Sequence, residues 1–182
     1  MTIGQLRFNL LRNALYHTAR RRIFECWHRF ATFVIILLGA SATSSLFGEW
    51  GFNAAYAGFA IALIGAAQIV FDFGGRARDH QMLQRDYYNL LAEIDAKPKA
   101  SAKDTARWYA AMVRIAGNEP PMLRAIEAKA HNDALDALGD EFFDTRTEKL
   151  VIPCHHRLFG GFSSFDGYSY RKVGPSPVAD AG

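Results

Sequence analysis

The sequence predicts an all-α membrane protein, in which a two-helix transmembrane hairpin is joined to a cytoplasmic helical bundle. Three observations carry that expectation. Two uncharged stretches lie back to back between Arg29 and Asp72, broken only by Gly48 and Glu49. Arginines crowd the outer flanks of these stretches while the connector has none. The rest of the chain repeats its apolar residues at helical spacing.

The first stretch, Phe30 to Phe47, has 18 residues and the second, Trp50 to Phe71, has 22, with no acidic or basic side chain in either. At 1.5 Å per residue they reach about 27 and about 33 Å, against a hydrocarbon core of about 30 Å. Inside lipid each backbone N–H and C=O needs a partner within its own segment, so runs of this length are helices. A signal peptide fits poorly, because a second run follows the first at once.

The flanks set an orientation. Arg7, Arg12, Arg20, Arg21, Arg22 and Arg29 precede the first stretch against a single Glu25, and Arg76, Arg78 and Arg85 follow the second. With only Glu49 in the connector, the positive-inside rule places both termini in the cytoplasm and the protein in the inner membrane. Tyr16 and Trp27 on one side, with Trp50 and Phe52 on the other, suit the interfacial belts. The net charge of +3 is accounted for by this arginine excess facing anionic headgroups, and nucleic acid is not an expected partner. Cys26 and Cys154 both fall on the reducing side, so no disulfide is expected.

The expected organisation follows: a basic amphipathic lead-in helix over 1–29, the two-span hairpin over 30–71, cytoplasmic helices over 72–149, an amphipathic segment over 150–170 and a disordered tail over 171–182. Leu6, Leu10, Leu11, Ala14 and Leu15 recur at helical spacing with no Gly or Pro between Gln5 and Phe30, so one long helix runs into the first span. Its early turns either lie on the membrane surface or pack on later helices. After the second span, Leu83, Tyr87, Leu90, Leu91 and Ile94 form one stripe of a further helix, with Gly74 and Gly75 placed to kink its start. Asp104 is a suitable N-cap for a helix to Ile115, and the next helix spans Pro121 to Leu138 before Gly139. In 148–170, Leu158, Phe159, Phe162 and Phe165 with Arg157 fit either membrane-surface insertion or packing on the bundle.

Signals for chemistry are few. Cys154, His155 and His156 suggest a metal, but adjacent histidines diverge and no second ligand pair stands at site spacing. His80 with Asp79, and His131 with Asp133, resemble acid–base pairs on polar helix faces. No nucleophile motif, dinucleotide fingerprint or phosphate loop is present, so neither enzyme activity nor a cofactor is expected. Within the spans, Ser41, Ser44 and Ser45 share a hydroxylated face, and Gly58, Ala62 and Ala66 form a small-residue stripe that permits close helix approach. Facing each other they would lock the hairpin. In an oligomer, the three serines with Gln68 would instead line a narrow water-filled path, which one two-span chain cannot enclose.

The succession ARRRIFECWHRF, the hairpin, FDFGGRARDHQMLQRDYYNLLAEI, AIEAKAHNDALDALG and IPCHHRLFGGF, about Ala14 to Phe162, resembles the SLATT family. These are two-transmembrane effector domains found beside SMODS nucleotidyltransferases and SLOG sensors in prokaryotic conflict systems. The resemblance implies an oligomeric, pore-forming or membrane-perturbing effector in antiviral defence, triggered by a separate nucleotide-sensing or nucleotide-producing protein. It also implies packing or gating roles for Trp27, His28, Asp72, Phe73, His80, Tyr87, Leu91, His131 and Asn132. A second reading is a nonconducting membrane anchor or scaffold that recruits a cytosolic partner through Leu83, Tyr87 and Leu91.

Overall fold

The computed structural model describes residues 1–43, 53–139 and 144–174 of the chain. Among them every regular element is a helix: α1 Ile3–Thr43, α2 Ala54–Phe71, α3 Phe73–Asp95, α4 Ala102–Ala116, α5 Arg124–Leu138, α6 Thr145–Glu148 and α7 Cys154–Phe159. An isolated antiparallel bridge pairs Leu150 with Lys172. The chain divides into two compact units, Arg21–Asp79 and Met1–Arg20 with His80–Gly182. The first twenty residues of the lead-in are thus part of the same unit as the later helices.

Two helical stretches, Ile3–Ala40 and Ala54–Asp95, are long and apolar enough to cross a membrane, and only 11% and 6% of their apolar windows is buried by the rest of the chain. A core helix of a water-soluble domain would be mostly covered. Within the unit Arg21–Asp79, α2 starts at Asn53, whose side chain accepts the Ala55 N–H at 2.9 Å. Ala57 is buried and Ile61, Ile64 and Gln68 are half-buried, positions that fall on one stripe of a 3.6-residue helix. Phe59, Leu63, Ile69 and Val70 are exposed around the rest of the cylinder.

The break between α2 and α3 is made by Asp72, not by the glycines that follow it. Asp72 adopts a left-handed conformation (φ 40°, ψ 54°); its N–H donates to Gln68 O at 3.0 Å and its Oδ1 accepts the Gly75 N–H at 3.0 Å. One residue therefore caps the end of one helix and the start of the next. Gly75 serves close approach: a Cβ there would lie 2.0 Å from Asp72 Oδ2.

In the other unit, the early turns of α1 are the central element. Leu6, Leu10 and Ala14 of α1 pack with Tyr87, Leu90 and Ile94 of α3 and Trp108 of α4, all buried. A neighbouring face of α1 buries Phe8 against Ala134 and Leu135 of α5. The lead-in thus packs on later helices, because its apolar stripe finds two apolar partners. The expected stripe of α3 is turned inward as well: Leu83 and Tyr87 are buried and Leu91, half-buried, packs on the same core.

Helix α4 begins three residues before the expected cap. Ser101 is the N-cap and Asp104 completes a capping box, each side chain satisfying the other's backbone N–H. Helix α5 starts at Arg124, since Leu123 is still extended. The expected tail begins too early: Arg171 O accepts from Val151 N at 2.9 Å and Val173 N donates to Lys149 O at 2.8 Å, so pairing continues through Val173.

Replacing Leu10 by Ala is expected to cost about 2–5 kcal/mol in denaturant unfolding of the full chain in detergent, followed by tryptophan fluorescence. Leu37→Ala, on an exposed position of α1, should stay within about 0.5 kcal/mol of the parent. Equal effects of the two would contradict this assignment of the core.

Candidate functional site

A chain of buried polar side chains joins α1, α3 and the turn after α4. His17 and His80 are 0% and 3% exposed, and their Nδ1 atoms lie 2.8 Å apart. His17 Nε2 is 3.0 Å from Glu119 Oε1, and the Tyr87 hydroxyl donates to the same oxygen. Tyr87 stacks on the His17 ring with centroids 5.7 Å apart at 12°, and Tyr16 meets that ring edge-on at 5.2 Å. The Tyr16 hydroxyl accepts the Leu123 N–H at 3.0 Å, which fixes the start of α5.

The geometry limits where the protons sit. Two Nδ1 atoms in contact need one donor and one acceptor. With a neutral His17 whose Nε2–H donates to Glu119, the lone pair on His17 Nδ1 accepts from His80 Nδ1–H. All polarity then runs one way, from His80 through His17 to a carboxylate that also accepts from Tyr87. Burial opposes ionisation of Glu119, but the hydrogen bonds from His17 and Tyr87, with the charge of Arg12, outweigh it and hold its carboxyl below the usual range. Burial first, then the Glu119 contact, push the Tyr87 hydroxyl well above its ordinary value, so it remains a donor. Burial likewise raises Tyr16, against the bond from Leu123.

His80 therefore does not sit on a polar face beside Asp79. Asp79 is exposed and the partner of His80 lies 63 residues away in the chain. The signal was present in the spacing: His17 continues the stripe Leu6, Leu10, Ala14, and His80 begins the stripe Leu83, Tyr87, Ile94. A polar residue in register with an apolar stripe is turned into the core and must find a partner there.

His131 and Asn132 of α5 hold the C-terminal segment. Asn132 pairs with both backbone groups of Leu150, Nδ2 donating to its O at 2.9 Å and Oδ1 accepting from its N at 2.8 Å. His131 Nε2 lies 3.1 Å from Glu148 O, its ring packed edge-on against Phe8; burial, against the bond to Glu148, lowers its pKa. Cys154 and His155 are exposed while His156 is buried, and among the described residues no group of three or more His, Cys, Asp or Glu could hold a metal ion. A groove of about 160 Å³ beside His131, lined by Arg12, Arg124, Glu127 and Tyr170, is smaller than the roughly 300 Å³ at which ligand pockets begin.

In the apolar unit, Gln68 Nε2 donates to His28 O at 3.2 Å and Thr32 Oγ1 at 3.3 Å, binding α2 to α1 within one chain. Phe73 lies against Phe24 and Phe71, and Trp27 packs edge-on against Phe30. Gly58, Ala62 and Ala66 are exposed, about 100–180° around α2 from the stripe of Ala57 and Gln68, and a Cβ at Gly58 would meet nothing within 4 Å. Within one chain this stripe is not the face that meets α1. Ser44, Ser45 and the side chain of Ser41 lie outside the described residues. The chain matches no protein-family model, no curated protein and no solved structure.

A carboxyl whose folded pKa is depressed adds stability above its unfolded value, about 4.3, which is lost as pH falls through the folded value. A tyrosine whose folded pKa is raised adds stability below about 10 that is lost above it. Unfolding midpoints across pH should therefore fall in acid for the parent and less steeply in Glu119→Gln, while Tyr87→Phe should reduce the alkaline decline to the share of Tyr16 and lose about 1–3 kcal/mol at neutral pH. Unchanged acid and alkaline limbs in both variants would remove Glu119 and Tyr87 from the network.

Proposed function

We propose that the chain is an integral membrane effector of the kind the SLATT resemblance implies, with both termini cytoplasmic and several copies assembling into a pore or a membrane-perturbing cluster. The observation that carries the reading is the uncovered surface of α1 and α2. Large apolar side chains such as Phe33, Ile36, Phe59, Leu63 and Ile69 stand exposed around both helices, and lipid is the medium that matches them. The outward stripe Gly58, Ala62, Ala66 lets a second copy approach closely, the usual basis of helix association where lipid removes the hydrophobic drive.

In this reading Ser41, Ser44 and Ser45 face a path made by several copies. Gln68, engaged with His28 and Thr32, keeps each hairpin closed near the cytoplasmic side. The helices Met1–Arg20 and His80–Leu138, joined by His17, His80 and Glu119, form the part that a separate nucleotide-sensing or nucleotide-producing protein would address.

Liposomes carrying the purified chain provide the test. Parent protein should pass ions, and Ser41→Leu, Ser44→Leu, Ser45→Leu together should abolish the flux at equal incorporation. Gly58→Leu with Ala62→Leu should weaken assembly by about tenfold, the equivalent of about 1.4 kcal/mol of lost helix packing, while leaving insertion intact. An inserted, oligomeric parent without flux would favour the anchor or scaffold instead.

A further inference from the structure

We propose that the turn 157–162 is an interfacial anchor that docks on the anionic surface of the bilayer, an inference that rests on the membrane reading of α1 and α2. Leu158, Phe159 and Phe162 are 72, 53 and 69% exposed, although the backbone that carries them is firmly held. The neighbouring His156 is buried with its ring stacked on Phe165, centroids 3.8 Å apart, and its Nδ1 is 2.8 Å from the Tyr170 hydroxyl. A Cβ at Gly160 would sit 2.8 Å from the Cβ of Ala125 and 2.6 Å from His156 O, so the turn is pressed against α5. Arg20 of α1 donates to Gly161 O at 3.1 Å. A loop free to rearrange would fold such residues under; this one is built to present them.

Charge selects the occupant. From Lys149 to Phe165 the chain has no acidic residue, and Arg157 stands exposed beside the apolar three. Leucine and phenylalanine enter the boundary between headgroups and acyl chains, while arginine binds phosphate above it. Three side chains alone would bind a membrane weakly. Here the anchor is tethered: nine residues of chain separate Arg20, which holds the turn, from Phe30, the first residue of the uncharged stretch. Docking is then intramolecular and needs little intrinsic affinity. Phe165, grouped with the inserting residues on sequence grounds, is instead the platform under His156.

The experiment uses the full chain with Cys26→Ser and Cys154→Ser, carrying a nitrobenzoxadiazole label at Phe162→Cys or, as a span control, at Phe59→Cys. It is reconstituted in phosphatidylcholine vesicles with or without phosphatidylglycerol, with a lipid spin-labelled near the headgroup as quencher. The label at 162 should be blue-shifted and quenched in anionic vesicles, and Arg157→Gln should lower the docked-to-undocked ratio about fivefold. A water-like, unquenched label at 162 beside a lipid-buried label at 59 would overturn the anchor and leave the membrane reading standing. Labels unburied at both positions would overturn both. A blue shift at 162 that lipid does not quench and that grows with protein density would mean that a second copy covers the turn, which also overturns the anchor.

Discussion

Two imidazoles whose Nδ1 atoms sit 2.8 Å apart in a dry interior can keep that contact only while one of them lacks a proton there. The packing of the larger unit is organised around this condition. His17 brings α1 to the pair, His80 brings α3, and Glu119 closes the far side from the turn after α4. Tyr16, next to His17, fixes where α5 begins. Apolar burial drives these helices together, but it is non-directional. The hydrogen-bonded chain is what sets their register, because a buried polar group that loses its partner is costly. A proton on both Nδ1 atoms at once would set two N–H groups face to face and remove the acceptor on which that register depends.

The apolar unit solves a different problem with different means. Its helices are uncovered, so hydrophobic burial within one chain does little to hold them, and the specific contacts are polar or small. Gln68 bonds α1 at His28 and Thr32, and Ala57, the buried residue of α2, keeps bulk out of the contact face. The same scarcity of bulk on the opposite side, at Gly58, Ala62 and Ala66, leaves room that one chain does not fill.

Much of the helical layout was legible because periodicity is a local signal. The stripe Leu83, Tyr87, Leu90, Ile94 announces both a helix and its buried face, and Gly139 announces an end. Boundaries were less so: Ser101 and Asp104 satisfy each other reciprocally, so either reads as a cap until the backbone is seen. His80 was misplaced because its partner comes from another helix, and helical spacing shows which face is buried without showing what covers it. The direction of Gly58, Ala62 and Ala66 was hidden for the opposite reason. A helix that is apolar all round has no polar face to orient it, so only the contacts of Gln68 and the burial of Ala57 settle which side meets α1. Those contacts leave no trace in a single sequence.

Asp72 and Gly75 make one unit of inheritance. The Asp72 carboxylate occupies the place where any β-carbon at position 75 would stand, and from there it accepts the Gly75 N–H. Enlarging residue 75 while Asp72 is present expels the carboxylate and forfeits the cap; once Asp72 is a residue without a capping side chain, the nearest obstacle to a side chain at position 75 is gone. The effect of a change at either position thus depends on the other, so that drift at this joint proceeds in a preferred order, through 72 before 75. Four residues of chain hold an epistatic pair whose logic is steric and electrostatic at once.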